Sequence, residues 1–279
     1  MNLTYQPAVE SSLPALAALF SHAFTGYITG TVTMTPALLA GMIAQNGIDL
    51  NFSMIAYHED APVGFALIAR QGWTSRIAAM GIVPEAQGKQ VGYQLLLELI
   101  NQARLRGDRR LELEAFEQNT RAVNLYIKAG FRALRRLPGY TISMPKGEPN
   151  SALTQIDILD VARHVSEYGR ADLPWQMSGT HLARTAPPNC AYQLDQATAI
   201  ITDPNREAIV LRAVIVPPSE RRLGQAARLI SALWAKFPDK QWNVQAICPE
   251  EYGGFFEHCG FTRQELNQLQ MRLELEAMD

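Results

Sequence analysis

The chain has 279 residues, of which 47% are apolar and 19% charged, with a formal net charge of −2. That composition excludes a disordered chain, and the near-neutral balance excludes a general affinity for nucleic acid. Length alone suggests two domains, each long enough to bury its own core.

The five histidines are not spaced as metal-ligand pairs, and His22 and His58 read as solvated or packed. Cys190, Cys248 and Cys259 all fall in the second half, at spacings that suit neither a disulfide framework nor a zinc site. No metal is expected. Residues 1–5 carry no basic stretch followed by an apolar core, and no apolar run approaches the ~20 residues of a membrane span. The expectation is a soluble cytoplasmic protein with no membrane partner.

Along the chain, Leu3 to Gln6 reads as a short strand. Ser12 suits a helix N-cap with Pro14 in the first turn, followed by an apolar face of Leu13, Leu16, Ala17, Phe20, Ala23 and Phe24. Thr35-Pro36 opens a second helix that ends near Gly47. Strands are expected over Phe52 to Tyr57, Pro62 to Ala69 and Trp73 to Val83, with a hairpin turn at residues 58–61. A long helix from about Lys89 to Arg106 turns Leu95, Leu96, Leu99 and Ile100 inward. Leu111 to Phe116 reads as a strand, and Asn119 as the cap of a shorter helix that Gly130 stops. Phe131 to Leu137 and Tyr140 to Met144 close the unit as strands.

The Pro- and Gly-bearing stretch at residues 146–151 reads as a linker between domains at 1–145 and 152–279. The second half repeats the first. Gln87 and Arg221, Gly92 and Ala226, and Leu95 and Leu229 stand at a common offset of 134, while Gly130-Phe131 and Gly260-Phe261 stand at 130. Two copies of one unit explain both the length and the order of elements.

Two stretches carry chemistry. The first, Met80 to Gly92, joins a strand to the long helix. Free backbone N–H groups and the positive end of the helix dipole converge at such a junction, which suits a phosphate. Gln87 and Gly92 resemble the ends of the acyl-CoA loop of the GNAT superfamily, Gln/Arg-x-x-Gly-x-Gly/Ala, although Gln90 stands where that family has glycine. The second, Leu111 to Phe131, resembles the GNAT signature of a strand bearing Leu-Glu, then Asn-x-x-Ala-x-x-Leu-Tyr, then Gly-Phe.

The resemblance implies an α/β fold of two tandem GNAT-like domains, each a mixed, mainly antiparallel sheet flanked by helices. It implies transfer of an acetyl group from acetyl-CoA, as cosubstrate, to a primary amine of a small molecule or peptide. It places acetyl-CoA on Met80, Gly81, Ile82, Gln87, Gly88, Lys89, Gln90, Val91, Gly92, Asn119 and Tyr126. Glu114 becomes the candidate base, directly or through water, with Glu112 the alternative. Tyr126 becomes the acid for the coenzyme sulfur. Each has a plain structural alternative: a core tyrosine, a helix cap, an exposed carboxylate. Phe24, Tyr27, Trp73 and Arg76 are candidates for the acceptor wall.

In the second copy the positions of Tyr126, Asn119 and Glu114 fall to Phe256, Pro249 and Val244, so that copy lacks the proton-transfer groups, although its Tyr252 offers a hydroxyl from another turn. Its loop, Arg221 to Ala226, fits the pattern in full. A non-catalytic acyl-CoA sensor and a tandem synthase of the mycothiol type are the competing readings.

Overall fold

Local signals set the elements of the first unit. In the computed structural model, which describes residues 1–275, the chain divides into two compact units, residues 1–134 with 269–275, and residues 135–268. The first opens with β1 (Thr4–Pro7) and α1 (Leu13–Ala23), whose N-cap Ser12 accepts from the Ala15 N–H with Pro in the first turn. Thr35 caps α2 (Pro36–Asn46) in the same way, and Gly47, at φ +65°, ends it in the left-handed conformation that glycine adopts without strain. Then follow β2 (Ile48–His58), β3 (Ala61–Gln71), β4 (Thr74–Ile82), α3 (Val91–Leu105), β5 (Arg110–Phe116) and α4 (Thr120–Lys128).

Strands β1 to β4 are antiparallel neighbours in chain order, and β5 joins β4 in parallel. Val63 to Ala69 on β3 is a continuous buried run, because α1 and α3 both pack on that strand. Leu16, Phe20, Phe65, Leu67, Leu95, Leu99, Leu111 and Leu113 build the core around it.

The second unit takes in most of β6 (Arg132–Ser143), then β7 (Thr154–Ile156), α5 (Ile158–Tyr168), α6 (Gly179–Leu182), β8 (Cys190–Leu194), β9 (Ala197–Ile201), β10 (Ala208–Ile215), α7 (Gln225–Lys236), β11 (Gln241–Val244), α8 (Gly253–His258) and part of β12 (Thr262–Glu274). Its strands run β6-β11-β10-β9-β8-β7, with β10 and β11 parallel. Leu229, Leu233, Trp242, Tyr140 and Phe261 form its main core.

The closing strands differ from the sequence expectation. One continuous strand, β6, replaces the two short ones, and its Tyr140 to Ser143 pair with Val244 to Gln241 on β11 in the second unit. The free edge of β5 is taken by the far end of β12, where Met271 is fully buried in the first core and Leu275 donates to the Arg109 carbonyl. The sequence places a linker at residues 146–151, whereas the two compact units divide inside β6 and β12. Gly147 and Glu148 lie against α7: the Glu148 N–H donates to Ser231 Oγ, and a Cβ on Gly147 would collide with the Ser231 carbonyl.

Candidate active site

The parallel pairing of β4 and β5 runs from Thr74 opposite Arg110 to Arg76 opposite Glu112. On the other side of β4, the register with β3 slips between Ile77 and Ala79, which makes Ala78 an extra residue in the strand. Such a bulge bends its strand and raises its twist. Beyond it a cleft of about 680 Å³ opens, walled by Met80-Gly81-Ile82 on one side, Asn119 to Lys128 on another, and the chain after α1 at Ala23 to Ile28.

One end of the cleft is the loop before α3. Gly88 at φ +79° and Gln90 at φ +63° are both left-handed, and no side chain caps the helix. The N–H groups of its first turn are the orphan donors that every helix start carries, beside the positive end of the dipole. Gln87 Nε2 donates to the Ile82 carbonyl at 3.0 Å, and Arg121 Nη1 donates to Gln87 Oε1 at 2.9 Å, which stiffens the loop against α4. Gly92 faces Ile82, Leu125 and Met80, and a Cβ there would meet them at 3.5 Å or more, an ordinary contact. Gly81 is tighter: a Cβ would lie 2.9 Å from both Ala23 and Phe65, so close packing of α1 on β4 requires glycine.

Of the sequence-derived ligand residues, Met80, Gly81, Ile82, Gln87, Gly88, Gln90, Gly92, Asn119 and Tyr126 all line the cleft. Lys89 and Val91 do not. Val91 is 1% exposed and packed into the core, while Lys89 is exposed.

Tyr126 lies on α4 at the cleft floor, its ring 5.8 Å from Phe131 in edge contact. Burial pushes its hydroxyl well above the usual phenol range, with the nearby Tyr27 adding to the rise. Asn119 is the N-cap of α4, its side chain accepting from the Ala122 N–H at 3.2 Å. Burial raises the hydroxyl of Tyr27, and the Asn119 side chain partly offsets the rise. The cap and a polar cleft wall are therefore one residue.

Glu114 is placed differently. It is not among the residues lining the cleft. Its Oε2 accepts from both Nε and Nη2 of Arg76 at 2.7 Å, and the two side chains are 2% and 5% exposed. The residue as a whole is half-buried, so what solvent reaches is its main chain. Glu112, two residues earlier on the same face, accepts from Arg272 Nε and Nη2 at 2.9 and 2.8 Å. Burial pushes the Glu112 carboxyl up, and Arg272 only partly offsets this.

Phe24 and Tyr27 line the cleft, edge to face at 4.8 Å. Trp73 instead sits at the β3–β4 turn, 58% exposed under the Arg109 guanidinium at 3.3 Å, and Arg76 is taken by Glu114. Sequence reading missed Arg121 and Lys128, the two cations on the α4 wall. Their seven-residue spacing, two helical turns on one face, was the available signal.

In the second unit Phe256 packs on Tyr140 at 5.3 Å, Val244 ends β11 and Pro249 precedes a helical turn, so the aligned hydroxyl, carboxylate and amide are absent. Tyr252 lines that unit's own pocket. The loop there repeats the first: Arg222 at φ +63° and Gly224 at φ +73° stand where Gly88 and Gln90 stand.

Residues 18–131 match the Acetyltransferase (GNAT) family. None of the curated proteins matches the chain. Among solved structures, a GCN5-related N-acetyltransferase from Sphaerobacter thermophilus superposes with a TM-score of 0.69 at 14% identity, over 99% of this chain and 97% of its own. A tandem GNAT protein from the clavulanic acid biosynthesis pathway gives 0.67 at 12% identity over 100% of both chains. A GCN5-related N-acetyltransferase from Anabaena variabilis gives 0.62 at 15% identity, over 99% of this chain and 73% of its own. At these identities the likeness is one of fold. The first unit is a GNAT-family acetyltransferase domain, and the chain as a whole has the fold of a tandem GNAT protein.

Proposed function

We propose that the first unit transfers the acetyl group of acetyl-CoA to a primary amine of a small molecule or peptide. The observation that carries this is the cleft itself: a splayed β4–β5 pair leads from Tyr126 to an uncapped helix start. The pyrophosphate is assigned to the N–H groups of residues 87–92, with Arg121 and Lys128 as nearby cations. The pantetheine arm follows the main chain of Gly81 and Ile82, where β4 has parted from β5, and meets Asn119. Lining residues of both signs are not present: the cleft wall carries cations and no carboxylate, as a ligand with several phosphates requires.

In the transfer, the amine nitrogen bonds to the acetyl carbonyl carbon and the carbon–sulfur bond breaks. The carbonyl oxygen gains charge, and the main-chain N–H groups near Gly81 and Ile82 are the donors assigned to it. Tyr126, held protonated by its burial, is the assigned proton donor to the leaving sulfur. The amine must arrive neutral. The Arg76 pairing weighs against Glu114 taking that proton by direct contact, so the proposed path runs through water, with the Glu114 carboxylate behind it.

Tyr126→Phe tests the assignment. The ring still fills its place beside Phe131, and only the hydroxyl is lost. Loss of a positioned acid costs on the order of 10²–10⁴ in rate, and the low end is expected for a thiolate, which leaves readily. Acetyl-CoA affinity should change by less than about tenfold, or ~1.4 kcal/mol. Thiol release from acetyl-CoA with an amine panel measures both. Full turnover by the variant, under conditions where chemistry limits the rate, would remove Tyr126 from the mechanism.

A further inference from the structure

Phe24 follows the last residue of α1 and lines the first unit's cleft, half-buried. Its main chain is tied on both sides. The N–H donates to the Phe20 carbonyl at 3.1 Å, and the carbonyl accepts from the Tyr27 N–H at 3.2 Å. Three other rings hold its own. It stacks on Phe20 with centroids 4.6 Å apart, meets Tyr27 edge to face at 4.8 Å and tilts against Phe65 at 6.3 Å. Phe20 and Phe65 are buried in the first core. A ring backed by close-packed neighbours gives way only at a packing cost.

That ring lies against Gly81. A Cβ there would stand 2.9 Å from Ala23 Cβ, 2.9 Å from Phe65 Cε1 and 3.1 Å from Phe24 Cε2, so these three groups press on one face of the Gly81 main chain. Phe65 is wholly buried behind the cleft wall, and Ala23 brings only a methyl. Phe24 is the bulky group of the three that the cleft meets. The side chains on either side of Gly81 turn elsewhere: a Cβ on Gly92 would meet Ile82 at 3.5 Å and Met80 at 3.9 Å, which puts both toward α3. Tyr27 stands one ring farther out, in edge contact with Phe24 and Phe116.

We infer that Phe24 determines acyl specificity: its ring closes the end of the acyl site and confines the transferred group to acetyl. This rests on the proposed transfer, which sets the acyl oxygen against the main chain near Gly81 and Ile82. The acetyl methyl is one bond from the carbonyl carbon, so it falls beside whatever covers Gly81. A longer chain continues into the Phe24 ring. A filled apolar wall resists an added methylene by roughly 10–200-fold, and this one yields only by pushing Phe24 onto Phe20 and Phe65. The walls then divide by role, with Phe24 meeting the acyl group and Tyr27 and Ile28 left to the acceptor.

The test is the ranking of acyl chains by the full chain, read in two ways. One is calorimetric titration with acetyl-, propionyl- and butyryl-CoA. The other is kcat/KM for thiol release from each, with whichever of ethylamine, benzylamine and glycinamide is turned over. For the wild type, butyryl-CoA should be poorer than acetyl-CoA by at least about tenfold. Phe24→Ala, which removes the ring, should abolish that preference, and Phe24→Leu should fall between. The leucine variant keeps an apolar side chain on Phe20 and Phe65, so the outcome does not hang on the alanine variant folding. A wild type that takes butyryl-CoA as readily as acetyl-CoA, or a preference that survives both variants, would overturn the assignment. A surviving preference with a raised KM for the amine would do so by placing Phe24 in the acceptor wall. Failure of the wild type to bind acetyl-CoA at all would instead overturn the acetyl transfer on which the assignment rests.

Discussion

The Glu114 carboxylate is held by Arg76, with both side chains nearly excluded from solvent. Its place after Leu113 on the strand marks it as a candidate base. Nothing in the local sequence announces the partner, because Arg76 lies on the neighbouring strand, 38 residues earlier. Removing one member of a buried ion pair leaves the other charge uncompensated, at a cost of about 3–5 kcal/mol, whereas replacing both with apolar groups of similar size is close to neutral. Glu114→Gln is therefore expected to lower stability in urea unfolding by that order, and Arg76→Met/Glu114→Leu to recover most of it. If the recovered double variant also keeps its turnover, Glu114 is structural and the amine gives its proton to water alone. If stability recovers but turnover does not, the carboxylate takes part in the chemistry. The placement of Asn119 and Tyr126 on one short helix, by contrast, was legible from sequence, because that helix is set by local signals. One residue fixes the helix start, and the other falls two turns on, facing the cleft.

At the scale of the element, the loop before α3 explains the one departure from the family pattern. Both copies place two left-handed residues in this loop, and each copy has glycine at only one of them, Gly88 in the first and Gly224 in the second. A left-handed residue with a Cβ costs roughly 1–2 kcal/mol, so Gln90 and Arg222 are held there by the loop's own closure. Part of that cost is recovered with glycine, less the extra freedom glycine has when unfolded. Gln90→Gly should stabilise the chain by about 0.5–1 kcal/mol, and Gly88→Ala should destabilise it by a similar amount although no atom lies within 4 Å of the new Cβ. Thermal unfolding of the pair checks this. Equal and opposite signs are expected, and destabilisation by Gln90→Gly would mean that the glutamine side chain holds the loop. The helices, the hairpin turn at Glu59-Asp60 and the repeat were all legible, because caps, turn residues and apolar periodicity are local signals. The bulges at Ala78 and, between β9 and β10, at Arg212 were not, since a bulge is a relation between two strands and leaves no mark in either one.

For the whole molecule, the sequence gives two copies in order, while the compact units exchange their closing strands along the chain. Which strand lies beside β5 depends on pairing between residues some 160 apart, beyond the reach of any periodicity argument. A direct consequence follows for truncation. A chain ending after Gln268 keeps residues 1–134 intact but loses Met271 and Leu275 from the first core and Arg272 from Glu112. The first unit should then lose its resistance to proteolysis, and a fully protected first unit in that truncated chain would contradict the division described above. The proposed reaction requires acetyl-CoA in the first unit's cleft, with its pyrophosphate at residues 87–92. The most direct measurement is a calorimetric titration of acetyl-CoA into the full chain, into Gly92→Ala and into Gly92→Asp. There is room for a Cβ at this position, so the alanine variant controls for folding while the aspartate sets a negative charge at the helix start. One site in the wild type, little change with alanine and a large loss with aspartate is the predicted result. Unchanged binding by Gly92→Asp, or a second equivalent site in the wild type, would contradict it.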